Sequence, residues 1–248
     1  MSEKKEPGDI DITRLSYWFP KLKSAGLPVP KTLIVESEEG EWQDTYRLLD
    51  REEPGKKGKA LIARVKAAAD EIGYPCFLRT DHTSGKHSWE KACYLSSPDN
   101  LMSHMQTIIN FWECVNMFGS PCDVWVVREF LPTMPVGVCR DFDNMPICKE
   151  FRFFVDGQVV KCYHPYWPLD ALEQGNPQYY GGFDYEEFCQ TSDIEKITEL
   201  ASAAGAAVGG EWSVDILETS RGWFITDMAE AYKSFHWEGC PMIKNEVC

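Results

Sequence analysis

The stretch EWSVDILETSRGWFITDMAEAYK, from Glu211 to Lys233, sets acids inside what otherwise reads as two buried strands. Glu211–Glu218 and Gly222–Met228 are rich in β-branched and aromatic residues, and the TSRG between them supplies turn chemistry, so the pattern predicts a hairpin. If residue 218 pairs with 224, Asp215 lies directly across from Asp227, and two carboxylates facing each other in a half-buried ladder repel. A divalent cation removes that repulsion. Mg²⁺ suits such a pair because it takes one or two carboxylates together with phosphate oxygens and water. The competing reading is a register one residue different, which sends one acid to solvent on an edge strand.

Moving back from the hairpin, Ser192-Asp-Ile-Glu195 forms a capping box, and Ile194, Ile197, Leu200, Ala201, Ala204 and Val208 then recur at helical spacing up to Gly209-Gly210. His164–Gln190 is crowded with prolines, glycines and aromatics and is longer than most connections. It reads as a lid or binding loop, or else as an ornate surface loop packed by its own rings. Before it, Glu150–Val155 and Gln158–Tyr163 make a hairpin across Asp156-Gly157, with Glu150 and Arg152 on one face and Phe151 and Phe153 on the other. Asp123–Phe130 is a strongly apolar strand running into LPTMPVG.

Nearer the N-terminus, Pro75–Thr80 reads as a strand, Asp81–Glu90 as a polar loop and Lys91–Ser96 as a returning strand, with a helix begun by Ser97-Pro98. Leu61 to Ile72 carry an apolar stripe that stops at Gly73, and residues 37–58 read as a polar surface connection to which no structure is assigned. The prolines of GLPVPKT lead into a short strand at Thr32–Val35. Ile12, Leu15, Trp18, Phe19 and Leu22 predict a first helix after a charged arm at 1–10.

The 248 residues are enough for a substantial core and for two lobes. A composition 44% hydrophobic and 26% charged is that of a globular protein, and no 18-residue apolar run is present to span a bilayer, so no membrane partner is expected. The opening MSEKKEPGDID has no apolar core, which argues against a secretory signal. Ten cysteines scattered without CxxC spacing read as reduced thiols of a cytoplasmic protein. A net charge of −14 disfavours a nucleic-acid partner without excluding one, and leaves room for a local basic cleft. No P-loop, HExxH, GxSxG or zinc-spaced Cys/His set is present.

The order of these pieces, from the PVPKT entry through PCFLRT, VVREFLP and EFRFF to the acidic hairpin, resembles the ATP-grasp fold over residues 11–233. The phrases TSGKHSW, VVREFLP and KEFRFFVDGQVV are most similar to the cell division cycle protein 123 branch and its phage and bacterial relatives. This resemblance implies an α+β protein whose two lobes, built on antiparallel sheets, grip ATP between them. The lobes would be preceded by a short region at 1–36 and would span 37–125 and 126–248.

The resemblance also implies roles. Arg79 of PCFLRT would reach the phosphates, Thr83-Ser84-Gly85-Lys86 would close over them, and Lys91 and Lys149 would assist. Glu129 would take the ribose hydroxyls while Phe130 and Leu131 offer backbone groups to adenine. Arg152 would meet phosphate as a fork, with Arg152 and Lys86 acting in catalysis. Asp215 and Asp227 would hold Mg²⁺, and Glu230 would substitute for the asparagine that many relatives carry in Glu-x-Asn and that Asp227-Met228-Ala229 lacks. Arg14 stands where the fold often has a basic residue, or is a surface side chain on its helix. The loop is also poorer in glycine than in typical ligases of this kind. The implied activity is ATP-dependent ligation of a carboxylate to an amine or other nucleophile. An ATP-binding assembly factor with a protein partner and nucleotidyl transfer to RNA are the alternatives.

Overall fold

The computed structural model describes residues 11–115, 121–169, 172, 177–179 and 181–237, and the expected arm at 1–10 lies outside them. In chain order the elements are α1 (Leu15–Ser24), β1 (Thr32–Glu36), α2 (Glu41–Thr45), α3 (Lys56–Ile72), β2 (Cys76–Thr80), β3 (Tyr94–Leu95), α4 (Leu101–Val115) and β4 (Val124–Glu129). There follow β5 (Gly137–Cys139), β6 (Met145–Ile147), β7 (Glu150–Asp156), β8 (Val159–Pro165), β9 (Pro177–Tyr179), α5 (Tyr185–Phe188), α6 (Ile194–Val208), β10 (Glu211–Thr219) and β11 (Gly222–Glu230). The protein is α+β with antiparallel sheets.

The first sheet has the order β1-β4-β2-β3. Strand alternation sends Leu78, Trp125 and Val127 to one face, where they pack against Leu61, Val65 and Ala69 of α3 and Met105 and Ile108 of α4. The second sheet has the order β11-β10-β7-β8. Its core face carries Phe151, Phe153, Trp212, Val214 and Ile216 against Ile197, Ala201 and Ala204 of α6 and Leu15, Trp18 and Leu22 of α1. Gly205 lets α6 settle onto the β7–β8 turn, because a Cβ there would stand 2.0 Å from the Gly157 carbonyl oxygen.

A third sheet, β6-β5-β9, was not expected. The proline-rich LPTMPVG leads into it and part of the long aromatic loop completes it, with a small core of Cys139, Ile147, Trp167, Leu172 and Phe188. Residues 170, 171, 173–176 and 180 of that loop lie outside the described ones.

Several expectations are corrected. Residues 37–58 contain α2 and a 3₁₀ turn at Tyr46–Asp50. Asp44 accepts from the backbone N–H of Gly55 and Gly58 at 3.0 and 2.7 Å, a polar tie that hydrophobic periodicity does not register. The strand expected at Lys91–Ser96 is reduced to Tyr94–Leu95. The capping box does not form: Asp193 is the N-cap of α6 and its carboxylate instead accepts from Trp223 Nε1 at 2.7 Å. Cys76, Cys93, Cys114, Cys122, Cys148 and Cys189 are free thiols, but Cys162 is disulfide-bonded, against the expectation of reduced thiols. Among the described residues no helix is long and apolar enough to cross a membrane.

Candidate functional site

The acidic hairpin forms, with a register that neither simple alternative describes. Near its turn Glu218 pairs with Trp223 and Ile216 with Ile225, one residue off the expected pairing. A β-bulge then shifts the ladder, so that Asp215 is the Cα partner of Asp227 after all. The bulge decides which way Asp227 points. Trp223 and Ile225 belong to the core, and strict alternation would carry residue 227 into the same core; the extra residue places Thr226 and Asp227 together on the other face and returns Met228 to the core.

Across from this face, β2 and β4 turn Phe77, Arg79 and Arg128 away from the first core, as the alternation with Leu78, Trp125 and Val127 requires. The two sheets thus meet through their polar faces. Arg79 Nη1 donates to Asp227 Oδ2 at 3.1 Å and its Nε to the Thr80 carbonyl at 2.9 Å. Arg128 Nη1 donates to the Thr226 carbonyl at 2.6 Å. Within the second sheet Arg152 grips Asp215 with both edges of its fork, Nε to Oδ1 at 2.7 Å and Nη2 to Oδ2 at 2.9 Å. Thr226 Oγ1 donates to Glu150 Oε1 at 2.9 Å.

These contacts border a cavity whose polar lining includes Arg79, Lys86, Arg128, Glu150, Tyr166 and Asp227. Lys86 Nζ and the Arg152 guanidinium lie 5.2 and 4.8 Å from the centre of the Tyr166 ring. Burial pushes the Asp227 carboxyl up, but the charges of Arg79, Lys86 and Arg128 outweigh it and hold the group below the usual carboxylate range. Burial raises Glu150, with Lys86 opposing and Asp215 adding to the rise. Burial works against the charge of Lys86, and Tyr166, Glu150, Asp227 and Asp215 more than compensate, so its pKa is raised. Its apolar lining includes Phe77, Trp89, Phe130, Leu131, Met145 and Leu217. Phe77 and Trp89 pack on each other with ring centroids 5.7 Å apart and planes tilted by 58°.

No protein-family model and no curated protein matches the chain in sequence. Among solved structures it is similar to C-terminally truncated Cdc123 from Schizosaccharomyces pombe, with a TM-score of 0.57 and 13% identity over 88% of this chain and 83% of that one. A second structure, Cdc123 from the same organism, gives 0.52 and 12% over the same shares. An ATP-grasp RimK domain protein from Sphaerobacter thermophilus DSM 20745 gives 0.48 and 17%, and this chain spans 60% of its length. The fold is ATP-grasp.

On this ATP-grasp frame the expected site residues divide. Arg79, Lys86, Glu129, Phe130, Leu131 and Asp227 line the cavity, and Arg152 and Asp215 adjoin it through Tyr166 and the β10–β11 ladder. Glu129 accepts from the Lys31 backbone N–H at 2.8 Å and pairs with Arg221 at 2.8 Å.

Five residues fall outside. Ser84 does not line the cavity. Lys91 is 75% exposed and pairs with Asp143 at 3.6 Å, because the strand meant to direct it inward does not reach that far. Lys149 donates to the Gln190 carbonyl at 2.9 Å and flanks β7. Glu230 stands an odd number of residues beyond Asp227, after the bulge, and so takes the opposite face, where it pairs with Lys233. Arg14 is structural, tying α1 to Asp81 and Asp123.

Sequence reasoning missed Arg128, Tyr166 and Thr226. Arg128 had a signal, a cation near the end of the otherwise apolar DVWVVREF; the other two had none.

The donor set fits a magnesium ion that completes its shell elsewhere. Asp215 and Asp227 are Cα partners on neighbouring strands, and among the described residues no group of three or more His, Cys, Asp or Glu is arranged to hold a metal. Two carboxylates with phosphate oxygens and water suit Mg²⁺ better than an ion requiring an all-protein cage.

Proposed function

We propose that the chain binds Mg²⁺-ATP in this cleft and uses it for ATP-dependent ligation. A substrate carboxylate oxygen attacks the γ-phosphorus, ADP leaves, and an amine or other nucleophile then displaces phosphate from the acyl carbon. The observation that carries this reading is the ion pair of Arg79 with Asp227 across the two sheets, beside Lys86 and the Arg152–Asp215 pair of the second sheet, at a cavity that also has aromatic lining.

Asp215 and Asp227 would hold the magnesium ion, which when bound neutralises phosphate charge. Arg79 and Arg152 would grip phosphate oxygens as forks and Lys86 as a point charge. Glu129 would accept ribose hydroxyls at the rim, and the backbone at Phe130 and Leu131 would face the base. Positioning and charge neutralisation suffice for such chemistry, so no covalent enzyme nucleophile is required.

The test is to measure ADP against AMP release over a panel of carboxylates and amines. ADP formation that depends on both substrates supports ligation, and AMP formation points to nucleotidyl transfer. Tight ATP binding without turnover favours a second reading, an ATP-binding assembly factor of the cell division cycle protein 123 kind, which the fold likeness over 83% of that chain recommends.

A further inference from the structure

The cavity is smaller than the ligand proposed for it. It encloses about 120 Å³, whereas pockets for cofactors and comparable ligands occupy roughly 300–1,000 Å³. Its lining is also shut off from solvent, with Arg79, Cys148 and Glu150 only 5, 7 and 8% exposed. A ligand can enter only after a wall moves.

One wall is held by contacts weak enough to release. The loop after β2 contributes Lys86 and Trp89 to the cavity, and β6 of the third sheet contributes Met145 and Pro146. The β5–β6 turn, residues 140–144, reaches across and grips that loop. Asp143 Oδ2 accepts from the Glu90 backbone N–H at 3.1 Å, and Asp143 Oδ1 pairs with Lys91 Nζ at 3.6 Å. Asn144 Nδ2 donates to Glu90 Oε1 at 3.2 Å, and the His87 and Phe142 rings meet edge-on with centroids 4.5 Å apart. His87, Glu90, Lys91 and Asn144 are exposed, so these contacts compete with water and each is weak. None of the fully buried core residues takes part in them, so they can break while the cores stay folded.

The turn itself is shaped to serve the loop. Asp143 and Asn144 both have positive φ, 55° and 61°, a conformation for which hairpin turns favour glycine. Both positions nevertheless carry side chains, and both side chains end on the loop.

We propose that the β5–β6 turn is a latch that holds the 86–91 loop shut over the cavity, and that its release, with the cores folded, admits and discharges the ligand. The latch depends on these contacts alone, and its consequence for nucleotide exchange rests on the nucleotide reading of the cavity.

Cys148 reports the opening without any ligand, because it lines the cavity and burial pushes its thiol up to about 11, which keeps it unreactive while the cavity is shut. The experiment is native-state alkylation with N-ethylmaleimide, followed for each cysteine by peptide mass spectrometry, on the wild-type chain, Asp143→Gly, Asp143→Asn and Asn144→Gly. Cys76, fully buried in the first core, reports unfolding. Glycine suits the positive φ of the turn, so the glycine variants remove grip without straining the backbone. Asp143→Gly is expected to raise the Cys148 rate about fivefold or more, from loss of a hydrogen bond and an ion pair, with the Cys76 rate unchanged. Asp143→Asn, which keeps an acceptor for the Glu90 N–H, and Asn144→Gly should raise it less. A Cys148 rate of wild-type size in Asp143→Gly overturns the latch. So does a rise that Cys76 matches, which would make the turn a structural strut. Stopped-flow release of a fluorescent ADP analogue with Mg²⁺ then tests the consequence, and release from Asp143→Gly should accelerate by the same factor as the labelling. Release at the wild-type rate beside faster labelling overturns the latch as a gate for nucleotide. Failure of the wild-type chain to bind the analogue overturns the nucleotide reading, and the labelling alone then decides the latch.

Discussion

Asp215 and Asp227 face each other across the β10–β11 ladder even though the residues nearer the turn are paired one position out of step with them. The bulge at Thr226 makes this possible, and each acid it brings to the cleft is answered by an arginine from a different strand, Asp215 by Arg152 of β7 and Asp227 by Arg79 of β2. The carboxylate repulsion that the sequence suggests is therefore already offset by cations, and a metal ion would compete with those arginines for the same oxygens.

Asp227→Asn is expected to remove most of the rise in melting temperature that Mg²⁺-ATP produces, because a ligand stabilises in proportion to its binding of the native state. Asp215→Asn should act similarly. A full Mg²⁺-dependent shift in either variant, read by thermal denaturation, would remove that residue from the metal site. Without nucleotide neither variant should gain stability. Each leaves a largely buried arginine without its partner, a loss of up to about 3 kcal/mol.

Arg152→Lys should weaken Mg²⁺-ATP binding about tenfold or more, since a lysine keeps the charge but loses the fork. The same change loosens the two-bond grip on Asp215, so a stability loss of about 1 kcal/mol accompanies it. Calorimetry and urea denaturation on one preparation separate the two effects. Unchanged nucleotide affinity, or a loss fully explained by unfolding, would confine Arg152 to holding Asp215.

Free Mg²⁺ without nucleotide should bind weakly, because Arg152 and Arg79 occupy the carboxylate oxygens an ion would use. Substituting Arg152→Gln should raise the affinity for Mn²⁺ alone, followed by its paramagnetic resonance signal, while lowering that for ATP. Equal metal affinity in the two proteins would show that the arginine does not compete.

His164 gives the pH dependence a definite sign. Its ring is 1% exposed, Nδ1–H donates to the Pro165 carbonyl at 2.7 Å and Nε2 has no hydrogen-bond partner among the described residues, so the neutral form is the one that fits. Burial lowers its pKa to about 4, the Pro165 carbonyl opposing and His236 and Arg152 adding to the fall, with Asp215 acting the other way. The unfolded chain then binds more protons than the native one between pH 6.5 and 4. Stability present above 6.5 is lost as the pH falls through that window, by up to about 3 kcal/mol. Urea denaturation at pH 7.5 and 5 should show a smaller drop for His164→Asn than for the wild-type chain; equal drops would assign the effect to other groups.

The sequence by itself determined the hairpins, the main helices and the cleft-facing character of Glu150 and Arg152, because each depends on the 2.0 or 3.6 periodicity of nearby side chains. It also singled out Asp215 and Asp227, as acids in an apolar ladder are conspicuous. Tertiary structure alone decided that both acids share a face, because a one-residue bulge has no local signature in GWFITDM and reverses the orientation that alternation assigns to residue 227. It likewise decided that Lys91, Lys149 and Glu230 stand away from the cavity, since a long or odd-positioned side chain finds whichever partner the packed surface offers. The place of Arg128 in the cavity, bonded to the Thr226 carbonyl of the other sheet, became visible only when the two sheets closed on each other, because a contact between β4 and β11 leaves no trace in either strand's own sequence.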